Sequence, residues 1–276
     1  MTEYLNYAFN DDEASMETFD ELPLWSAPFG LLLLEHLELR RGLTVLDIGS
    51  GAGFPLMELA ARLGASCKCY GLDPWANATN RARRKVINYG LENVEVLDGS
   101  GEKIPFDDDS IDLIVSNLGI NNFDHPDLVF GECARVLKPG GKLALTTNLA
   151  GHWREFYDVF ESTLREMGHE GIIEKLIVHQ EHRGTVASIS GLFRASGLSP
   201  TRHVESSFQM KFLDGSAFLN HYFIKLGWLE SWKKLLPGDE LEPIFSSLEE
   251  KLNALAESAG GLTLTVPMAF IEGQKA

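Results

Sequence analysis

The sequence predicts an α/β fold built on a doubly wound, mostly parallel sheet. From residue 43 to about 148, short apolar runs alternate with helical patterns. That rhythm implies parallel strands joined by right-handed crossovers. The first strand ends in a glycine-rich loop that opens into a helix, the junction at which such sheets bind ligands. The 276 residues, 44% hydrophobic and 23% charged, suffice for one large domain or a domain with a sizeable insertion.

The elements follow in order. Acidic residues cluster at Asp11, Asp12, Glu13, Glu17, Asp20 and Glu21. A helix begins near Pro28, because proline suits a first turn. Leu33, Leu34 and Leu37 give it an apolar face, and Gly42 ends it. Residues 43–48 form the first strand. A helix starts at Pro55, with Leu56, Leu59, Ala60 and Leu63 on one face, and Gly64 closes it. Residues 67–72 are a second strand and 76–89 a second helix, stopped by Gly90. Residues 94–97, 111–116 and 143–147 read as three further strands. Between the last two lies a helix over 127–137, ended by Lys138-Pro139-Gly140-Gly141.

Beyond residue 150 the rhythm changes. Residues 153–167 and 185–195 read as helices, and 206–213 alternates like a strand. A long helix over 241–258 carries Leu241, Ile244, Phe245, Leu248, Leu252 and Leu255 on one stripe. The final strand, 262–271, contains Pro267, which cannot donate to a ladder. A bulge or an unpaired side is expected there.

The segment Val45-Leu46-Asp47-Ile48-Gly49-Ser50-Gly51-Ala52-Gly53 has the strand-loop-helix setting of a nucleotide-binding turn. Its glycines let the backbone approach a ligand, and the helix beyond presents unpaired N–H groups. Phe54 stands where a dinucleotide fingerprint has its third small residue, which counts against NAD or FAD. Asp73 ends the second strand and is followed by Pro74. A carboxylate there can accept hydrogen bonds from both ribose hydroxyls; the plainer alternative is an acid capping the next helix.

These residues resemble class I S-adenosylmethionine-dependent methyltransferases. Residues 45–53 are similar to the family's first motif, and Gly71-Leu72-Asp73 to its ribose-binding strand end. Gly99-Ser100-Gly101-Glu102-Lys103-Ile104-Pro105-Phe106 is similar to the third-strand loop. Residues 109–116 resemble the fourth strand, and Arg135-Val136-Leu137-Lys138-Pro139-Gly140-Gly141 the turn before the fifth. The resemblance implies a Rossmann-like, seven-stranded sheet with helical lid insertions and S-adenosyl-L-methionine as cofactor. It implies a lid segment over 1–42, the cofactor-binding core over 43–150, and a C-terminal half over 151–276 that completes the sheet.

It also implies roles. Gly49 and Gly51 line the methionine moiety, Asp47 anchors the loop and the amino group, and Asp73 with Pro74 takes the ribose. Ser100, Gly101 and Glu102 border the adenine, and Asn117 faces the methionine part or the substrate. The family usually has an acid where Ser100 stands. Either the serine hydroxyl accepts the adenine bond or Asp98 swings in.

Methyl transfer from a sulfonium is an in-line displacement, so alignment of the acceptor supplies much of the catalysis. His152, just beyond a strand end, is the preferred candidate base, with His221 next and His179 and His182 behind it. Trp25, Tyr157 and Tyr222 are candidate substrate contacts. The many rings between residues 218 and 232 suggest an apolar pocket under a helical lid, or simply a core. The acceptor is expected to be a small molecule, and a protein that binds the cofactor without catalysis is the alternative.

Composition narrows the partners. Asp and Glu number 40 against 24 Lys and Arg, a net charge of −16, which repels nucleic acid. The densest basic run, Arg81, Arg83, Arg84 and Lys85, reads as a solvated helix face. Three cysteines, Cys67, Cys69 and Cys133, make neither a disulfide framework nor a zinc set. Cys67 and Cys69 begin the second strand, at the wrong end for an arsenic-binding thiol site. No metal is expected. Residues 1–9 do not read as a signal peptide, and the apolar run 31–34 is too short to span a bilayer. A cytoplasmic location is expected, with no membrane contact.

Overall fold

The computed structural model describes residues 2–22, 24–181 and 183–276. Seven strands form one sheet in the order β3-β2-β1-β4-β5-β7-β6. The strands are β1 (Thr44–Ile48), β2 (Lys68–Asp73), β3 (Val94–Asp98), β4 (Ile111–Asn117), β5 (Leu137–Asn148), β6 (Leu198–Phe212) and β7 (Leu262–Lys275). β1 pairs in parallel with β2 and β4, β2 with β3, and β4 with β5. β7 runs antiparallel to β5. The predicted Rossmann-like α/β architecture is what the chain adopts.

Among the described residues two α-helices precede the sheet, after a short 3-10 turn over Glu3–Asn6. The acidic cluster forms α1 (Glu13–Asp20), whose amino end is capped by Asp12 accepting from Ser15 N at 2.8 Å. The sequence reading had no helix here, because α1 buries only Met16 and has little apolar periodicity. α2 (Ser26–His36) starts two residues before Pro28 and ends well before Gly42, since Leu37 turns the chain extended. The basic run lies on α4 (Ala76–Tyr89) and is not simply solvated. Arg81 and Lys85 bond Asp20 of α1, and Arg84 bonds Glu13 and Glu17.

α3 (Leu56–Leu63) buries Leu56, Met57, Leu59 and Ala60 against the sheet, and Gly64 ends it. α5 (Pro126–Val136) leads directly into β5, which begins at Leu137 and takes in the Lys138–Gly141 segment expected as a turn. The ladder absorbs the extra residues by a register shift: Ile111 faces Leu137, whereas Leu113 faces Lys142. β6 and β7 are also longer than periodicity indicated. The β5–β7 ladder reaches only to Asn148 opposite Met268, so Pro267 lies just past that ladder and breaks none of its bonds.

The remaining helices are α6 (Arg154–Glu166), α7 (Glu170–Glu181), α8 (Val186–Ala195), α9 (Gly215–Asn220), α10 (Tyr222–Ile224), α11 (Glu230–Lys233) and α12 (Leu241–Ala259). A π-helical turn, Lys225–Leu229, joins α10 to α11.

The chain packs into two compact units, each discontinuous in sequence. The sheet unit comprises Asp12–Leu149, Gly184–Ser206 and Met268–Ala276. Its core holds Leu46, Ile48, Ile114, Phe130, Leu145 and Phe193, all buried. The helical unit comprises Ala150–Arg183, Ser207–Pro267 and the N-terminal residues up to Asp11. Trp153, Phe156, Phe160, Phe218, Trp232 and Phe245 are the largest fully buried side chains among its described residues.

Candidate functional site

The carboxyl ends of β1, β2 and β4 in the sheet unit gather most of the expected cofactor residues. After Ile48 the backbone enters the left-handed region at Gly49 (φ 71°) and Gly51 (φ 50°), which favours glycine. A Cβ on Gly49 would lie 3.1 Å from the Cα of Gly119, whereas one on Gly51 would meet nothing within 4 Å. Gly49 therefore seats the loop, and Gly51 faces open space. Gly49 N and Ser50 N both donate to the Leu72 carbonyl, at 2.9 and 3.3 Å.

Asp73 ties this loop to the next helix. Its Oδ2 accepts from Gly51 N at 2.9 Å and its Oδ1 from Trp75 N at 2.8 Å. The capping alternative is thus present in part, through Trp75. A carboxylate offers about four lone-pair positions, so two remain for hydroxyl donors. Burial pushes the Asp73 carboxyl above its usual value, opposed by the Trp75 and Gly51 N–H groups. Pro74 follows, exposed.

Asp47 sits fully buried at the end of β1, and neither carboxylate oxygen makes a hydrogen bond of full geometry. Burial raises its pKa well above the ordinary value, and the negative charge of Asp73 raises it further. The Leu56 N–H at the head of α3 acts in the opposite sense. A buried, unmatched carboxylate calls for a cation or a donor. An amino group carried in by a ligand meets that need, so these residues fit the amino-acid end of S-adenosylmethionine.

On the third-strand loop, Ser100 is exposed and its Oγ accepts from Glu102 N at 3.2 Å. Gly101 is buried, and a Cβ there would come to 2.9 Å from Ile48 Cγ2. Glu102 is half-buried. Asp98 is occupied elsewhere: Oδ1 accepts from Thr79 Oγ1 at 2.5 Å and Oδ2 from Arg83 at 2.8 Å. Arg83 and Thr79 together hold its carboxyl below the usual range. Asn117 is buried at the end of β4, accepting from Thr146 Oγ1 at 2.8 Å and donating to the Ser26 carbonyl at 3.4 Å. Trp25, at the head of α2, packs its ring 5.3 Å from that of Phe29.

Several residues at this edge escaped the sequence reading. Ser116 Oγ donates to the Ile48 carbonyl at 2.8 Å. Leu118 adopts φ 67°, an uncommon conformation for a leucine and a local strain beside the loop. Asn121 donates to Asn148 Oδ1 and accepts from Thr147 Oγ1, both at 2.8 Å. The visible signal was the polar run Thr146-Thr147-Asn148, all three buried at a strand end.

The other expected residues belong to the helical unit. His152 is buried, with its ring 4.3 Å from Trp153 and 6.2 Å from Trp228. Desolvation lowers its pKa well below 6.5, and the charge of Arg183 lowers it further. Both effects oppose its taking a proton. His221 is exposed as a residue and meets Phe212 edge-on; partial desolvation of its ring lowers its pKa, and Lys225 lowers it further. Tyr222 meets Tyr7 through hydroxyls 3.5 Å apart, and Lys225 lies over both rings. Tyr157 is buried and accepts from Trp232 Nε1 at 3.2 Å. His179 lies 6.3 Å from Tyr157, ring to ring, and His182 lies outside the described residues.

Comparison with known proteins finds matches over the stretch of chain that carries this edge. Residues 46–145 match the family described as a methyltransferase domain. The arsenite methyltransferase of Halobacterium salinarum is 36% identical over 105 residues, which are 38% of this chain and 27% of that protein. The demethylmenaquinone methyltransferase of Listeria monocytogenes serotype 4a is 31% identical over 131 residues, 46% of this chain and 55% of that one. This chain thus spans about half, or less, of the length of these curated relatives. A solved SAM-dependent methyltransferase from Aquifex aeolicus superposes with a TM-score of 0.55 at 26% identity, covering 70% of this chain and 92% of that structure.

Proposed function

We propose that this chain, whose residues 46–145 form a class I S-adenosylmethionine-dependent methyltransferase domain, methylates a small, partly apolar molecule. The observation that carries the reading is the pair Asp47 and Asp73: one fully buried carboxyl whose oxygens make no hydrogen bond of full geometry, the other gripping the glycine loop. S-adenosylmethionine, the cofactor of this domain, supplies when bound an electrophilic methyl on a sulfonium.

The chain's own residues then have three tasks. Asp47 takes the cofactor's amino group, with Gly49, Gly51 and Asn117 along the methionine part. Asp73, beside Pro74, takes the ribose hydroxyls through its two remaining acceptor positions. Ser100 accepts from the adenine, bordered by Gly101 and Glu102, because Asp98 is held by Arg83 and Thr79.

Alignment of the acceptor matters more than acid–base help for such a displacement. Of the two candidate bases, His221 is the exposed one. His152 is opposed in taking a proton by burial and by Arg183, so we assign it to neutral hydrogen bonding or packing. Trp25, next to the Ser26 carbonyl that Asn117 bonds, is proposed to contact the acceptor, and its ring, 5.3 Å from that of Phe29, supports a partly apolar one. A thiol-held metalloid is disfavoured, because Cys67, Cys69 and Cys133 are all buried, and Cys69 lies near the amino end of β2, away from Asp73.

The test has two readouts. Calorimetry should show S-adenosylhomocysteine binding that weakens by about 1–3 kcal/mol in Asp73→Ala, the range for a hydrogen bond to a charged group. Unchanged affinity would remove Asp73 from the ribose role. Incubation of a metabolite extract with isotope-labelled methyl donor should then yield a labelled small molecule, identified by mass. Tight cofactor binding with no labelled product would instead favour a non-catalytic cofactor-binding protein.

A further inference from the structure

β6 is the last strand of the sheet: among the described residues, β7 flanks it on one side and no strand flanks it on the other. Residues 198–206 of β6 lie in the sheet unit. Among the described residues, no loop or helix backbone bonds to the backbone of 199–206. On one face of this stretch Leu198 is buried and Pro200 and Val204 are half-buried. On the other face Ser199, Thr201, His203 and Glu205 are all exposed. An exposed edge with a free row of N–H and C=O groups is a template for another strand. Proline and charge are the usual guards against unwanted pairing. Pro200 and Lys211 stand near the two ends of β6, and the charges between them, Arg202 and Glu205, are of opposite sign. Such an edge rejects most strands and accepts one of matching pattern.

The matching strand is β6 of a second copy. Two copies related by a two-fold axis pair antiparallel, each contact being made twice. With the axis at Val204, that residue meets its own copy, His203 faces Glu205, and Arg202 faces Ser206. An imidazole N–H then stands opposite a carboxylate, and no like charges are opposed. Moving the axis by one residue sets His203 or Glu205 against itself. The wider field favours the same edge. The chain has a net charge of −16, whereas β6 sets Arg202 and Lys211 against Glu205 alone. Two copies meet less repulsion here than across an acidic surface.

We propose that β6 is an interface for a second copy of this chain, pairing antiparallel about Val204 and joining two sheets edge to edge. The contact is short, so the dimer is weak, with a dissociation constant on the order of 10–100 µM. The proposal is independent of the function proposed above, since none of these residues belongs to the cofactor edge.

Sedimentation equilibrium of the full chain tests it. The wild type should pass from monomer to dimer across about that concentration range. Glu205→Lys and His203→Glu should each weaken association about tenfold, because each removes both matched pairs. The variant carrying both substitutions should regain wild-type association, since opposite groups face each other again. All three should keep the wild-type melting temperature and affinity for S-adenosylhomocysteine, which separates lost pairing from lost folding. Val204→Cys should form an intermolecular disulfide under mild oxidation, because opposed residues have Cα atoms about 4.5–5.5 Å apart. Gln209→Cys, on the same strand and exposed, should not. Cys67, Cys69 and Cys133 are buried, so the wild type is the control. The disulfide pair decides the matter if a charge variant fails to fold. A wild type still monomeric at about 1 mM, well above the expected constant, overturns the proposal. So does a dimer that both single variants leave intact, a double variant no better than the singles, or a disulfide formed as readily at 209 as at 204.

Discussion

Asp47 shows how a single residue can be costly to the empty protein and useful to the loaded one. Its carboxyl is buried beside Asp73, and its folded pKa lies well above the ordinary value. The folded state therefore holds the proton more tightly than the unfolded chain does. The stabilisation from this group is complete below the unfolded pKa and is lost as pH rises through the folded one. The cofactor-free protein should accordingly lose melting temperature as pH climbs above the usual carboxylate range. Asp73, shifted the same way, adds to the trend, so the contribution of Asp47 is the difference between wild type and Asp47→Asn. That variant should melt higher than wild type at pH 7 without cofactor and bind S-adenosylhomocysteine more weakly, by about 1–3 kcal/mol. Melting curves across pH, with and without ligand, check both halves. A variant that melts lower at pH 7 would mean that the carboxylate is satisfied in the empty protein.

At the scale of elements, local rules and tertiary contacts divide the work visibly. α4 begins at Ala76 and ends at Gly90 in the left-handed conformation, just as its pattern indicates, because a cap and an apolar stripe are local signals. α8 has a full capping box, in which Thr185 accepts from Ser188 N at 3.1 Å and Ser188 Oγ accepts from Thr185 N at 2.9 Å. Thr185→Ala should cost about 0.5–2 kcal/mol of stability, measured by chemical denaturation, with no change in cofactor affinity; a neutral substitution would show that tertiary packing alone holds this helix. α1 and the turn after α5 were illegible for the opposite reason. α1 is held by ion pairs to α4 more than 60 positions along the chain, and no window of sequence contains both partners. The residues Lys138–Gly141 look like a turn, yet the ladder beside β4 accommodates them through its register shift.

For the whole molecule, the net charge of −16 is a field that every polyanion meets. A labelled DNA duplex at physiological salt should give no change in fluorescence anisotropy with this protein, because no counterion release offsets the repulsion. Binding that weakens steeply with salt would reveal a local basic surface. No helix among the described residues is long and apolar enough to cross a membrane.

The candidate site divides along the same line as the elements. The positions of Gly49, Gly51, Asp73 and Asn117 were legible because each lies at a strand end or within a few residues past one, where chain connectivity alone sets the position. The roles of Asp98 and Ser100 were left open by the sequence, and the bonds from Thr79 and Arg83 to Asp98 depend on where α4 packs.

The amino-acid order by itself determined the alternation of strand and helix, the glycine bend and the acid that ends β2, because propensity, periodicity and backbone freedom act over a few residues. Only the tertiary structure decided that β7 lies antiparallel against β5, that Asp47 is buried with neither carboxylate oxygen in a hydrogen bond of full geometry, and that Asp98 is taken up by Thr79 and Arg83. Burial and pairing are settled between residues far apart in the chain, and their energies exist only once the chain has closed on itself.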